Sequence, residues 1–335
     1  MTEEVSGHPA VHAWLSLSGS SPPVEAVKRL SRKRKSYVYR LTGESLPGGS
    51  IIAKRSRCAD AAIERTVYKD VLGGIALPTI HYYGSYEEGE TGLTWLFIED
   101  ATGQKFAPQE ERHRALAGRW LGTLHTLTAG VHEPARLPGR SADDYLELLG
   151  SVRGGIEANL GNPHLTDAYL SELRGFVWQL DQVRAEWERI SAICGEFPPT
   201  LVHGDLAAKN VRVRETEGGQ FLLPFDWEGA GWGSPAADLA QLSDRHLGSV
   251  ISPDLDAYKV HAGKSKGESE AVLMLATVGA IFRVLHMADW VAWTLPTDRI
   301  GKAVGAIRGY SSELAQALTR LAATRRDHML GSSRK

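Results

Sequence analysis

Hydrophobic and polar positions change period about a third of the way along the chain. Up to Glu99 the apolar residues come in short runs, Tyr37 to Leu41, Ile51 to Ala53, Ile80 to Ser85 and Leu93 to Ile98, separated by turns rich in Gly, Pro and acidic residues. Runs of this kind predict strands, and Val24 to Leu30 opens the set. Asp60 to Leu72 breaks the pattern: Ala61, Ala62, Val67 and Val71 supply a packing face, Asp60 a cap and Gly73-Gly74 a stop, which predicts a helix. A short helix over Pro9 to Leu17 and a Ser/Gly/Pro connector precede these elements.

From Pro108 the period lengthens. Leu116, Trp120, Leu121 and Leu124 recur at helical spacing between Pro108 and Leu127, and 141–161, 165–193 and 297–330 also read as helices. Ala271 to Leu295 is the longest apolar stretch, but it contains Arg283, His286 and Asp289, so it predicts a buried helix and not a membrane span. Three short strands, Leu201-Val202, Val211 to Arg214 and Phe221 to Phe225, interrupt the helices. The expectation is an α+β fold of two lobes: residues 1–99 with a five-stranded antiparallel sheet and one main helix, and residues 100–335, mainly helical.

Composition narrows the partners. The chain has 335 residues, 42% of them hydrophobic and 23% charged, enough for two lobes with a sizeable core. A formal net charge of -2 predicts no general affinity for nucleic acid or for an anionic membrane. The basic run Arg32 to Lys35 is short and reads either as a solvated turn or as a phosphate-facing loop. Cys58 and Cys194 form neither a disulfide framework nor a metal pattern, and MTEEVSGHPAVHAWL lacks the layout of a secretory signal, so a cytoplasmic location is expected.

The chemistry concentrates between Leu201 and Ala240. Leu201 and Val202 deliver a His203-Gly204-Asp205 turn, Asn210 follows Asp205 by five positions, and the strand Phe221 to Phe225 ends on Asp226. A carboxylate and an amide on one loop, with a second carboxylate at the next strand end, suit phosphoryl transfer, in which the protein positions groups and neutralises phosphate charge. Asp205 would take the acceptor hydroxyl's proton, while Asn210 and Asp226 offer the hard oxygens that Mg2+ prefers. His203 and Asp205 also permit a zinc reading, but the other histidines show no zinc spacing.

HGD-x4-N, the strand ending in DWE, and GSPAADLA with Asp238 together resemble the catalytic core of the aminoglycoside phosphotransferase and choline kinase superfamily, relatives of protein kinases. The resemblance implies a two-lobed protein-kinase-like fold and ATP- or GTP-dependent phosphorylation of a small-molecule hydroxyl. Gly204 stands where protein kinases carry an arginine, no APE motif follows, and only a short segment separates Asp226 from Asp238, which favours a small acceptor over a peptide. Asp238 matches the family's structural aspartate, and His125 and His203 are expected to be core histidines. Residues 1–99 would form the nucleotide-binding lobe, and 100–335 the catalytic and acceptor-binding lobe.

By the same resemblance, Lys54 of the IIAK strand would hold the α and β phosphates, and Glu64 on the following helix would pair with it. Read without the resemblance, Lys54 is an exposed strand lysine and Glu64 a surface partner of Arg65 or Lys69. The phosphate loop, Ser31 to Ser36, has no glycine, so Ser36 and its basic neighbours would have to substitute. Ile98 would back the base, with the carbonyl of Glu99 and the amide of Ala101 at its edge.

Acceptor residues are less well marked. Trp227 and Glu228 flank a metal ligand and are the first candidates. Asp143, Asp144, Asp244 and Asp289 could add negative charge, and Trp232, Trp290 and Trp293 aromatic surface or core. An aminoglycoside, aminocyclitol or nucleoside antibiotic is the first expectation, which would give resistance. A metabolic acceptor such as choline, ethanolamine, homoserine or a sugar is the second, and a catalytically inactive nucleotide-binding module is the alternative of another class. No protein partner is implied.

Overall fold

In the computed structural model of the chain all residues are described except 1, 20–23, 33–35, 132, 135, 241–252, 266–267, 298 and 333–335. In chain order, β1 (Thr2–Glu3), α1 (Pro9–Ser18), β2 (Ala26–Arg32), β3 (Ser36–Thr42), β4 (Ser50–Arg57), α2 (Cys58–Arg65), β5 (Tyr82–Glu87), β6 (Leu93–Glu99) and β7 (Gln104–Lys105) come first. They are followed by α3 (Glu111–Thr128), β8 (Gly139–Arg140), α4 (Ala142–Glu157), α5 (Asp167–Ala185), α6 (Trp187–Gly195) and β9 (Thr200–Val202). The last are β10 (Val211–Thr216), β11 (Gly219–Pro224), β12 (Gly231–Gly233), α7 (Leu255–His261), α8 (Ser269–Thr294) and α9 (Ile300–Ser332). The chain divides into two compact units, one of residues 1–106, 132–138 and 208–230, the other of residues 107–131, 139–207 and 231–335.

The first unit holds the five predicted antiparallel strands, joined at one edge by the two-residue β1, in the order β1-β2-β3-β4-β6-β5. Alternation sets which side chains go inward: Val27, Leu41, Ile51, Ala53, Trp95 and Phe97 are all buried in one cluster, which α1 covers with Ala10, Ala13 and Trp14. The Trp14 and Phe97 rings lie 5.2 Å apart. Helix α1 starts where Pro9 fixes φ and the His8 ring accepts the N–H of Ala10. A second sheet, β11-β10-β7, completes the unit.

Helix α2 begins at Cys58, two residues earlier than expected, so Asp60 lies in its first turn and does not cap it. It continues as a π-helical segment, Thr66–Val71, before Gly73 and Gly74 end it. The widened turn is invisible to a period-based reading because Val67 and Val71 still face inward.

The second unit is helical around α8. Ser141 caps α4 through a capping box with Asp144. Helix α8 is long and apolar enough to cross a membrane by length and composition, yet 72% of its apolar window is buried inside the fold, with Phe282 stacked on Tyr145 at 3.9 Å. The single helix expected over 165–193 is two, α5 and α6, broken at Glu186, which leaves helical geometry at φ -92° and ψ 8°. A small sheet, β8-β12-β9, leads into the His203 turn.

Candidate active site

In the first unit a cavity of about 510 Å³ is lined by Leu30, Ser36, Val38, Ile52, Lys54, Glu64 and Ile80, by the segment Ile98 to Gly103, and by Arg212, Phe225 and Asp226. Every nucleotide-side residue expected from sequence, Ser36, Lys54, Glu64, Ile98, Glu99 and Ala101, lies on its wall. Of the glycine-free basic loop, Lys33 to Lys35 fall outside the described residues.

At one end of the cavity Lys54 is surrounded by carboxylates. Its ammonium lies 2.6 Å from Glu64, is in contact with Asp226, and is 3.3 Å from Glu228. Burial would push Lys54 towards deprotonation, but Glu64 first, then Asp226 and Glu228, hold its pKa above the ordinary value. Glu64 is completely buried, and that burial pushes its carboxyl up to about 7. The readings of Lys54 and Glu64 as surface residues are therefore excluded by their burial.

Asp226 is the only non-glycine residue with positive φ, at 69°, among those described. Aspartate tolerates this region better than most side chains. Tyr68, from the π-helical turn, is buried beside this group, and burial first, then the charges of Glu64 and Asp226, raise its pKa. The N–H of Phe225 donates to the carbonyl of Asn210 at 2.9 Å, so the two expected metal ligands sit on backbones tied to each other. The carboxylates of Glu64, Asp226 and Glu228 lie within 4.8 Å of one another. Above the raised pKa of Glu64, with all three ionised and Lys54 protonated, the group keeps two negative charges, the complement of one divalent cation, and the donors are hard oxygens of the kind magnesium takes.

In the second unit Asp205 is half-buried and follows a turn fixed by Asp238. The Asp238 carboxylate accepts the N–H groups of His203 and Gly204, and Gly204 takes a φ of 74° that a side chain would resist. His125 is buried, 3.6 Å from Asp238, and bonded to the Tyr258 hydroxyl at 3.1 Å, so it is the core histidine expected from sequence.

A second cavity, of about 520 Å³, lies in this unit among Arg140, Asp144, Tyr145, Glu147, Leu148, Ser151, His286 and Asp289. Asp144 is committed to its capping box. Burial, Arg140 and Arg283 lower the pKa of His286 against the opposing pull of Asp205 and Asp289, which keeps the ring neutral at neutral pH. The lining therefore carries three carboxylates, Asp144, Glu147 and Asp289, against one guanidinium, Arg140.

Other expectations are redistributed. Trp227 is 0% exposed, so it packs and presents no surface to an acceptor. Glu228 points at Lys54. Trp232 is buried, Trp290 donates to the Tyr310 hydroxyl, and Trp293 is 78% exposed, so it is not core. Asp143 is exposed in the first turn of α4, and Asp244 falls outside the described residues. Sequence reasoning missed Tyr68, Arg40, Asp100 and Arg212. The alternation Val211-Arg212-Val213-Arg214 was the available signal for the last.

The model of the phosphotransferase enzyme family matches residues 26–275. Among solved structures, the GDP and kanamycin complex of APH(2'')-IIIa aligns with a TM-score of 0.62 at 12% identity, covering 91% of this chain and 98% of that one. A choline kinase from Cryptosporidium parvum Iowa II gives 0.54 at 10% identity, covering 91% and 90%. A spectinomycin phosphotransferase in complex with ADP and spectinomycin gives 0.55 at 12%, covering 88% and 95%. No curated protein sequence matches.

Proposed function

The chain belongs to the phosphotransferase enzyme family and is a small-molecule kinase with a hydroxyl acceptor; from that premise we propose that it moves the terminal phosphoryl group of ATP or GTP to an amine-bearing acceptor of the aminoglycoside or aminocyclitol type. The observation that carries the kinase reading is the buried Lys54–Glu64 pair beside Asp226 on the wall of a cavity large enough for a nucleoside.

In this mechanism Lys54, held by Glu64, contacts the nucleotide phosphates, and Asn210 and Asp226 would hold magnesium, which supplies charge neutralisation on the phosphates. Asp205 accepts the acceptor hydroxyl's proton as the new P–O bond forms and the bond to the leaving nucleoside diphosphate breaks. The second cavity supports the choice of acceptor. Glu147 and Asp289 outweigh Arg140 there, a balance that suits ammonium groups, while the buried Trp227 and Trp232 leave no aromatic cage of their own for choline. Action on such an antibiotic in the cytoplasm would confer resistance.

The test is magnesium-dependent consumption of ATP and GTP over a panel of aminoglycosides, spectinomycin-type aminocyclitols, nucleosides, choline, ethanolamine and sugars, with product masses recorded and Asp205→Asn alongside. One amine-bearing compound gaining a single phosphate, with the variant silent, is the expected result. Turnover on neutral sugars alone would overturn the acceptor assignment.

A further inference from the structure

The base end of the first unit's cavity contains a cation that the reaction as described leaves unused. Strand β10 reads Val-Arg-Val-Arg, and alternation sends Val211 and Val213 into the core and Arg212 and Arg214 to the other face. Arg214 is paired with Glu99 at 2.5 Å. Arg212 instead lines the cavity, with its guanidinium 5.2 Å from the centre of the Phe225 ring. Its Nη1 donates to the carbonyl of its own neighbour Val211 at 2.9 Å and, at the outer limit, to Lys209 at 3.4 Å.

The carboxylates of this cavity each have another partner, although the charge of Asp100 also acts on Arg212 from a longer distance. Asp100 takes the guanidinium of Arg40 and the hydroxyl of Ser50, Glu99 takes Arg214, and Glu64 and Asp226 share Lys54. Among the described residues no carboxylate lies within ion-pair distance of Arg212. Val38, Ile52, Ile80 and Ile98 supply the apolar part of the cavity wall. A half-buried planar cation, steadied by an aromatic ring and lining a partly apolar cavity, has one favourable use, which is to lie against the face of a π-system.

We propose that Arg212 is the stacking residue for the nucleotide base, and that its guanidinium plane makes the site selective for the larger purine face. The assignment rests on the nucleotide reading of this cavity given above. It gives Arg212 a role in base selection separate from that of Lys54, which acts on phosphate at the other end.

The experiment is nucleotide binding by calorimetry, with magnesium present, for the full chain and for Arg212→Ala and Arg212→Lys, using ADP, GDP, CDP and tripolyphosphate. In the wild type both purine nucleotides bind more tightly than CDP. In Arg212→Ala their Kd rises roughly tenfold, the purine preference shrinks, and tripolyphosphate binding stays the same. Arg212→Lys behaves like the alanine variant, because an ammonium keeps the charge but not the plane. Unchanged ADP binding in the alanine variant, full rescue by lysine, or equal loss for tripolyphosphate would each overturn the proposal while leaving the kinase reading standing. A wild type that binds none of the nucleotides would sink both. Thermal melts of the variants confirm that they are folded.

Discussion

The carboxylate of Asp238 accepts the backbone N–H of His203 at 2.7 Å with one oxygen and that of Gly204 at 3.0 Å with the other. The two donors directly precede Asp205, so one buried side chain fixes the turn that presents the proposed base. Asp238→Ala would strand both N–H groups, at about 1–3 kcal/mol for each left unsatisfied, whereas Asp238→Asn can keep one bond. Urea denaturation should rank wild type above asparagine above alanine, with turnover falling in the same order. Equal stability of all three would remove Asp238 from this role.

The same residue predicts a pH dependence. Burial alone would raise the Asp238 pKa, but His125, His203 and the His203 N–H outweigh it and hold the pKa below the ordinary 3.8. The folded value is thus the lower one, so the stabilisation is complete above pH 3.8 and is lost as pH falls through the folded value. The gap in melting temperature between wild type and Asp238→Asn should be constant from neutral pH down to about pH 5 and close under stronger acid. A gap that widened with acid would contradict the sign.

Much of this is legible from local pattern. Strands β2 to β6 and helix α8 follow their hydrophobic periods, and Asp205, Asn210 and Asp226 are marked by a motif compact enough to sit in one window. What is not legible depends on contacts distant in sequence. Trp227 looks available beside Asp226, but α2 covers it, and nothing in DWE announces that burial. Glu228 looks like an acceptor residue, yet its partner Lys54 stands 174 positions away. Tyr68 is, in sequence, only the residue four positions after Glu64, and the π-helical turn is what buries its phenol near Glu64 and Asp226.

Lys54 and Glu64 form a buried ion pair whose worth is best read by breaking it. Lys54→Met would leave Glu64 among two other carboxylates with no cation, a change that typically costs about 3–5 kcal/mol when a buried partner is removed. Adding Glu64→Gln removes the stranded charge. The double variant should therefore be more stable than Lys54→Met alone, although nucleotide turnover stays low in both. Additive losses in a double-mutant cycle would show that the two side chains act independently.

Asp226 combines a proposed ligand with a strained backbone, and two substitutions separate these roles. Asparagine enters the left-handed region about as readily as aspartate, while alanine adds a penalty of roughly 1–2 kcal/mol there. Both Asp226→Asn and Asp226→Ala should lose magnesium-dependent turnover, but only the alanine variant should also show the extra instability. A fully active asparagine variant would remove Asp226 from the metal.

Gly279 and Gly305 both lie inside helices of the second unit, yet the same substitution should act on them with opposite sign. On helix propensity alone, glycine to alanine in a helix interior gains about 1 kcal/mol. At Gly305 a Cβ would meet no atom within 4 Å, so Gly305→Ala should stabilise by about that amount. At Gly279 the Cβ would lie 2.1 Å from the carbonyl oxygen of Ala236, in the short 3-10 turn Pro235–Asp238. Backbone cannot yield there as a flexible side chain could, so overpacking of about 1–3 kcal/mol should exceed the gain and leave Gly279→Ala the less stable protein. Since that turn carries Asp238, the shift should also loosen the His203–Asp205 segment. Gly279→Ala should thus lower turnover while nucleotide affinity, set in the first unit, stays as in the wild type. Loss of nucleotide affinity with normal turnover at saturation would contradict this division of labour between the units.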